Sequence, residues 1–291
     1  MRTVKSTPHN HLRTTDYITE DDANSAVTIA NERLGAGGVF GVINFNPSPN
    51  ELDYRWRNFV KNLRNYDIIH TKNGIYIEER DILVVKGQEV PTKEGYHVLL
   101  IGTCEDQNVT NNSSLDDVLD EGDKFGAIKV ADHPFHKNGI GDFLYTHRDY
   151  ISRFDSIETG NGIAINGAGF KDANEKASNF YHAVFKEYLD LTESVSDDGH
   201  SIHELGRNYS NIAMPENYTL FKDSPEKVVN ALKDGYLANR YQNLGHKLRT
   251  TKIGAINHFL DLAFLKRAQK VLGWDPNRKT APFLQRLGIK I

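Results

Sequence analysis

Side chains that bind transition metals recur along this chain in a fixed order, and most of them stand where an apolar run ends. In chain order they are His9, His11, Glu89, His97, His133, Asp198 and His200. Imidazole and carboxylate groups are ligands for Zn²⁺, Mn²⁺ and Fe²⁺, and strand ends are where a barrel displays its active-site side chains. No single motif is specific, but their order predicts one metal centre and metal-assisted hydrolysis of a phosphoester.

Two of the motifs place a pair of ligands two residues apart. Side chains of an extended segment alternate between its two sides, so His9 and His11 point the same way and can hold one cation. Asp198 and His200 share a side for the same reason. Asp197 stays open as a competing carboxylate in the second motif.

The central motifs supply a carboxylate between histidines. Glu89 closes an apolar strand pattern, and His97 opens or lies within the next one. A carboxylate can bridge two cations, and bridged pairs ~3.5–4 Å apart suit phosphoester chemistry. His133 also ends an apolar run, and by itself it is equally well interpreted as a buried core histidine.

The elements that must position these side chains alternate between strand and helix patterns. Strands are predicted at Arg2–Thr7, Val39–Phe45, Ile82–Gln88, Tyr96–Gly102, Ala127–Ala131, Ser156–Glu158 and Leu191–Ser196. Helices are predicted at Glu20–Leu34, Asp53–Asn65, Ser114–Glu121, Asp172–Tyr188 and from Ser224 to about Lys233. This alternation predicts a parallel sheet, and the number of units predicts an α/β barrel.

The composition is that of an ordinary soluble globular protein, with 38% hydrophobic and 25% charged residues among 291. No apolar stretch approaches the ~18 residues that span a bilayer. The N-terminus has no apolar signal-peptide region. Cys104 is the only cysteine, which excludes an intrachain disulfide and fits a reducing compartment. We therefore expect a cytoplasmic protein that does not contact membranes.

Charge divides the chain into an acidic body and a basic C-terminal region. Eleven Lys or Arg side chains in residues 236–291 oppose Asp261 and Asp275, a net charge of +9, which leaves −13 for residues 1–235. We expect a metal-binding domain over residues 1–235 and a basic helical extension over 236–291. The helix predicted at Lys252–Leu272 either docks on the barrel or also holds nucleic acid.

The ordered motifs resemble those of the PHP (polymerase and histidinol phosphatase) family of metal-dependent phosphoesterases, over roughly residues 3–235. The resemblance is carried by His9-Asn10-His11, Thr15-Asp16-Tyr17, Gly87-Gln88-Glu89, Gly95-Tyr96-His97-Val98-Leu99, Ala131-Asp132-His133-Pro134, Asp197-Asp198-Gly199-His200-Ser201 and Glu204 to Tyr209. It implies a distorted (β/α)7 TIM-like barrel with metals at the carboxyl ends of the strands.

The resemblance also implies how the ligands are shared among three metal positions. The first is formed by His9, His11, Glu89 and Asp198. At the second, Glu89 bridges to a metal held also by His97 and His133. Asp16 and His200 belong to a third. The implied cofactors are two or three divalent ions, of Mn, Zn or Fe, with Mg an alternative.

One departure from the family pattern affects the third position. The family has a histidine after its second strand, where this chain reads Gly41-Val42-Ile43-Asn44-Phe45-Asn46. Phe45 or Asn46 replaces that ligand, and Asn suits harder cations better than Zn²⁺. We therefore expect a weak or empty third position, and chemistry that rests on two metals with a preference for Mn²⁺ or Mg²⁺.

Three functions are compatible with these residues. The first is hydrolysis of a phosphorylated small molecule or terminal phosphate, in which Glu89 spaces the metals, Asp198 or His200 relays a proton, and Arg207 clamps phosphate or forms a structural ion pair. The second is a nuclease acting on DNA or RNA ends, which the basic region favours. The third is a scaffold module whose metals are structural. The sequence does not identify the substrate, the native metal or the oligomeric state.

Overall fold

The computed structural model describes residues 1–13, 17–45, 53–162, 172–222 and 225–248. Within those ranges the strands are β1 (Arg2–Thr7), β2 (Val39–Phe45), β3 (Ile68–His70), β4 (Gly74–Ile77), β5 (Ile82–Pro91), β6 (His97–Ile101), β7 (Ile128–Ala131), β8 (Ser156–Asn161), β9 (Thr192–Ser196), β10 (Tyr209–Met214) and β11 (His246–Lys247). The α-helices are α1 (Glu20–Leu34), α2 (Tyr54–Lys61), α3 (Leu115–Phe125), α4 (Gly141–Thr146), α5 (Ala173–Val184) and α6 (Pro225–Gln242).

The strands form one curved sheet in the order β11-β10-β1-β2-β5-β6-β7-β8-β9. Hydrogen bonds bring its far end back to the beginning: Val195 N of β9 donates to Ser210 Oγ of β10 over 2.9 Å, and Thr7 Oγ1 donates to Asp197 Oδ2 over 3.0 Å. The sheet is therefore a nearly closed barrel, and the predicted TIM-like α/β barrel is confirmed.

The prediction of a parallel sheet is wrong at β6. This strand runs antiparallel to both β5 and β7, whereas β1–β2, β2–β5, β7–β8 and β8–β9 are parallel pairs. The reason is the connection: residues 92–96 join β5 to β6 as a tight turn, in which Thr92 N donates to Tyr96 O over 2.7 Å. Parallel pairing needs a crossover of a dozen or more residues, which five residues cannot provide.

Four further strand pairings involve strands that were not predicted. β10 pairs antiparallel with β1, and β11 with the beginning of β10. The β3–β4 hairpin adds to the edge of β5. Of these strands, β10 matters most for the site. It lies between β1 and β9, the first and last strands of the predicted set, and so completes the barrel.

Helix α1 has the predicted bounds, and its caps explain them. Thr19 and Asp22 form a reciprocal pair: Asp22 N donates to Thr19 Oγ1 over 3.2 Å, and Thr19 N donates to Asp22 Oδ2 over 2.9 Å. Gly35 ends the helix with φ +78°, a conformation that costs a residue with a Cβ atom. The buried positions at helical spacing are Ala23, Ala26, Val27, Ala30 and Leu34.

The apolar core includes a residue C-terminal to position 235. Side chains of β1, β2, β5, β6, β7 and β10 form one cluster with α6, which includes Tyr236. Tyr236 is 3% exposed, and its hydroxyl lies 3.0 Å from Ser6 Oγ of β1. Helix α6 continues to Gln242, beyond the end predicted near Lys233.

The division of the chain at residue 235 stays a prediction. The predicted helix Lys252–Leu272 and the rest of the basic region after residue 248 lie outside the described residues. Within the described residues, no helix is long and apolar enough to cross a bilayer.

Candidate metal centre

The sequence-predicted ligands within the described residues meet at one edge of the barrel. Parallel strands bring their carboxyl ends to this edge, which explains the positions of His9 and His11 after β1, His133 after β7 and Asp198 after β9. His97 arrives differently, because it begins a reversed strand. Its backbone pairs with Pro91 at the carboxyl end of β5. The reversal of β6 is therefore what brings His97 beside Glu89.

The first group of ligand atoms comprises His9 Nε2, His11 Nε2, one oxygen of Glu89 and one of Asp198. The two nitrogens are 3.2 Å apart, and His11 Nε2 lies 3.0 Å from Glu89 Oε2. Asp198 Oδ1 lies 3.3 Å from His9 Nε2 and 3.5 Å from His11 Nε2. Ligand atoms around one cation at ~2.1 Å lie roughly 3.0–3.4 Å from one another. The group can therefore hold a metal ion with little rearrangement.

A second group forms around the other oxygen of Glu89. Oε1 contacts His97 Nδ1 and lies 3.5 Å from His133 Nε2. Each oxygen of Glu89 thus faces a different pair of histidines, as a bridging carboxylate would. Glu89 is 4% exposed and His133 7% exposed, so water competes little for either group.

The third position implied by the family resemblance is incomplete in the described residues. His200 is half-buried, with its ring 4.5 Å from that of His11, and its Nδ1 lies 3.0 Å from the backbone oxygen of Asp198. Phe45 places an apolar ring 5.6 Å from His11 and 5.9 Å from His97. Asp16 and Asn46 lie outside the described residues.

The two groups create an excess of buried negative charge. Burial opposes a charged His9, but the carboxylates of Asp132, Asp198 and Glu158 outweigh it and raise the pKa of His9 well above its usual value. His133 behaves alike: burial opposes the charge, but chiefly Asp132 and Glu89 raise its pKa to about 10. Without a metal, protons are held where cations would bind.

His11 differs from its neighbour His9. Burial lowers its pKa, and the positive charge of Arg55 acts in the same direction against the pull of Glu89. Arg55 Nη1 lies 2.7 Å from His11 Nδ1 and donates to Ile43 O over 2.8 Å. His11 is therefore kept neutral, which is the form that can bind a metal.

Sequence reasoning missed Glu158 and Asp132. Glu158 is 1% exposed on β8 and has four donors. Its Oε1 accepts from Ser196 Oγ and lies 3.3 Å from His9 Nδ1. Its Oε2 accepts from His133 N over 3.0 Å and from Asn161 Nδ2 over 2.8 Å. Glu158 thus orients His9 from the side away from the first group, as carboxylates behind metal ligands do. Its only sequence signal was a charged residue in an apolar strand.

The competing carboxylate Asp197 has a structural environment. Its oxygens accept from Thr7 Oγ1 over 3.0 Å, Gly206 N over 2.6 Å and Asn208 N over 2.7 Å. These bonds tie the loop after β9 to β1 and β10, and so fix the start of the Asp198 motif. Asp197 itself is fully occupied by donors.

Arg207, the predicted phosphate clamp, lies beside the end of α1. Gly206, the residue before Arg207, lies against Arg33 and Leu34 in the last turn of α1, and the charge of Arg207 adds to the effect of burial in lowering the pKa of Arg33. Within the described residues, no ion pair joins Arg207 to the candidate ligands. Its role as a clamp stays a prediction.

Comparisons with known proteins bear on the fold. The structure of PsfC from Pseudomonas syringae PB-5123 is similar with a TM-score of 0.58 and 11% identity, over 91% of this chain and 99% of that one. The chain shares the fold of PsfC. No family model matches the sequence, and neither does any curated protein.

Two endonuclease structures are similar over part of their length. The lesion-specific endonuclease PfuEndoQ from Pyrococcus furiosus has a TM-score of 0.48 and 12% identity, over 78% of this chain and 56% of that one. The structure of an Endonuclease Q complex with a 27-mer duplex that has an abasic lesion at the active site is similar with a TM-score of 0.48 and 12% identity, over 85% of this chain and 58% of that one. This chain therefore spans little more than half of either protein.

Proposed function

We propose that this chain is a metal-dependent phosphoesterase of the PHP type, acting as a phosphomonoester phosphatase. The observation that carries the proposal is Glu89, whose two oxygens face two separate groups of imidazole nitrogens at the carboxyl edge of a TIM-like barrel. A carboxylate between two cation positions is the arrangement that suits phosphoester hydrolysis.

The donor set fits divalent cations. Asp198 Oδ1 is buried and accepts no hydrogen bond, while Asn161 Nδ2 holds Oδ2 over 3.1 Å and so turns Oδ1 towards His9 and His11. The mixed imidazole and carboxylate ligands suit Mn²⁺, Fe²⁺ or Zn²⁺. When bound, such ions would lower the pKa of a water molecule towards ~7 and neutralise phosphate oxygens.

The chain's own residues then supply orientation and proton transfer. Glu158 holds the ring of His9, and burial together with the charge of Arg55 lowers the pKa of His11, which favours its neutral form. His200 lies at the solvent side of the groups, where its half-buried ring is the candidate for moving a proton to the leaving group, with Asp198 the alternative. Phe45 adds an apolar surface beside the site.

A labelled oligonucleotide tests this function directly. The chelated protein, restored with Mn²⁺, is incubated with a 5′-end-labelled oligonucleotide, and the products are separated on a gel. Release of free phosphate supports an end phosphatase, and labelled mononucleotide or ladders support a nuclease. An unchanged band with every metal would leave a small-molecule phosphatase, tested on a panel of phosphorylated metabolites, or the scaffold function.

A nuclease is the second candidate, and the position of β11 favours it. β11 pairs with Tyr209 and Ser210 at the carboxyl edge of the barrel, and Leu248 packs beside Gly160, next to Asn161 of the site. Residues 249–291, which follow Leu248 in the sequence, carry a net charge of +7. Basic side chains neutralise the backbone phosphates of nucleic acids. Activity that falls steeply with salt on oligonucleotides but not on small phosphates supports this candidate.

A further inference from the structure

Asp132 is a buried carboxylate near the centre that has no hydrogen-bond donor. It is 0% exposed, and neither Oδ1 nor Oδ2 accepts a hydrogen bond. Its charged partners are the imidazole nitrogens of His9 and His133, at ion-pair distances of 3.2 and 3.3 Å, and native proteins rarely keep a buried carboxylate without hydrogen bonds unless it pairs with a cation. The neighbouring carboxylates of Glu158 and Asp197 are satisfied by protein donors. Asp198 Oδ1, the atom that faces the first group, is likewise buried and accepts no hydrogen bond.

The position of Asp132 connects it to the second group. Its Oδ2 lies 3.3 Å from His133 Nε2, the nitrogen that lies 3.5 Å from Glu89 Oε1. Glu89, His97, Asp132 and His133 each offer one ligand atom, and these four atoms all lie within 4.8 Å of one another. Four protein ligands around one cation are typical of a tightly held ion.

We propose that Asp132 is a ligand of the second cation, together with Glu89, His97 and His133. This inference rests on the proposed metal centre and adds a ligand that neither the motifs nor the family resemblance assigns. Two carboxylates at the second position match its charge to a divalent ion. They also make its donor set harder, which favours Mn²⁺ or Fe²⁺ over softer ions.

The competing role for Asp132 is to orient His9. Its Oδ1 lies 3.2 Å from His9 Nδ1, an ion-pair distance. Glu158 Oε1 shares that nitrogen at 3.3 Å, and Glu158 Oε2 accepts from the backbone N of His133, whereas Asp132 Oδ2 lies beside the ring nitrogen Nε2 of His133. The two roles predict different losses: a ligand of the second cation affects that ion, whereas a residue that orients His9 affects the first.

Metal binding distinguishes these roles without any assay of activity. Mn²⁺ affinity and stoichiometry are measured by competition with a fluorescent chelator for wild type, Asp132→Asn and the contrast variant Glu158→Gln. Asp132→Ser is measured in parallel, and circular dichroism verifies folding. We expect two ions in wild type, at least a tenfold weaker second ion in both Asp132 variants, and a weaker first ion in Glu158→Gln.

Double variants identify the ion that is lost. His97→Gln removes a ligand of the second position only. Combining Asp132→Asn with His97→Gln should therefore weaken Mn²⁺ binding little beyond His97→Gln alone. Combined with His9→Gln, Asp132→Asn should instead lower the affinity by its full single-variant effect. The opposite pattern assigns Asp132 to the orientation of His9 and overturns the inference. Two ions bound by Asp132→Asn as tightly as by wild type also overturn it, while the metal centre stands. A wild type that binds neither Mn²⁺ nor Zn²⁺ overturns the proposed function as well.

Discussion

His133 and Asp198 each have a backbone conformation that residues with a Cβ atom seldom adopt. Their φ angles are +24° and +47°, in or near the left-handed region that glycine prefers. Such strain persists where surrounding structure enforces it, and it clusters at functional sites. Each is the second residue after the carboxyl end of a strand, β7 or β9, and their side chains point towards Glu89 and His9.

Replacing Glu89 distinguishes a catalytic function from a scaffold function. We expect Glu89→Ala to lower activity at least about a hundredfold, since even groups behind metal ligands contribute 10–100-fold, and to weaken binding of both ions. The measurements are initial rates and Mn²⁺ stoichiometry in the same preparation. Full activity in this variant would favour the scaffold function.

Metal affinity should depend on pH because protons and cations compete for the same atoms. The buried carboxylates around His9 and His133 raise the pKa of both imidazoles, which favours their protonated forms in the metal-free protein. An imidazole must be neutral to bind a metal, so binding releases protons, and Mn²⁺ affinity should fall about tenfold for each unit by which the pH is lowered, per proton displaced. Mn²⁺ titrations at pH 6, 7 and 8 in weakly buffered solution measure both the Mn²⁺ affinity and the number of protons released. Equal affinity at the three pH values would contradict this prediction.

At the scale of elements, a buried ion pair fastens α2 to the barrel. Lys86 Nζ of β5 lies 2.6 Å from Asp53 Oδ1, with side chains 1% and 0% exposed. Asn44 Nδ2 donates to the same carboxylate over 3.1 Å. Burial lowers the pKa of Lys86 and raises that of Asp53. Each partner therefore depends on the other to remain charged.

Removing one partner of this pair should be worse than removing both. Lys86→Met leaves an unpaired buried carboxylate, and we expect a loss of about 3–5 kcal/mol in the free energy of unfolding. Lys86→Met combined with Asp53→Asn should recover most of that loss. Urea unfolding of the two variants and wild type measures the difference. A double variant less stable than Lys86→Met would refute this account.

Gly41 controls how closely β2 approaches the segment that carries His9. A Cβ atom at this position would lie 1.7 Å from Pro8 O. We expect Gly41→Ala to displace residues 8–11, to destabilise the fold by about 1–3 kcal/mol as overpacking does, and to weaken Mn²⁺ binding. Thermal unfolding with and without Mn²⁺ tests both effects, and unchanged metal affinity would refute the link to the site.

At the scale of the whole molecule, the basic region after residue 248 should increase the affinity for polyanionic substrates and leave the hydrolysis of small phosphate esters unchanged. Removing residues 249–291 deletes a net charge of +7. For a nuclease, we expect a higher KM for oligonucleotides and a shallower dependence on salt, with unchanged turnover of a small phosphate ester. Equal salt dependence in the two proteins would remove the case for nucleic-acid contact through this region.

The sequence by itself determined the features that local periodicity and side-chain chemistry encode. The bounds of α1 follow from its apolar spacing and its caps, and the β1, β2 and β5 positions follow from apolar and β-branched runs. The ligand types of the metal motifs could be read in the same way. These signals need only neighbours within a few residues, so no tertiary information is required.

The tertiary structure decided what depends on distant partners. The reversal of β6 and the closure by β10 arise from pairing across the sheet, which strand patterns do not specify. Asp197, Asp132 and Glu158 are all carboxylates in sequence. Only folding shows that donors satisfy Asp197 and Glu158 while Asp132 has none. The physical reason is that the role of a buried charge is set by the groups packed around it, and those come from strands far apart in the chain.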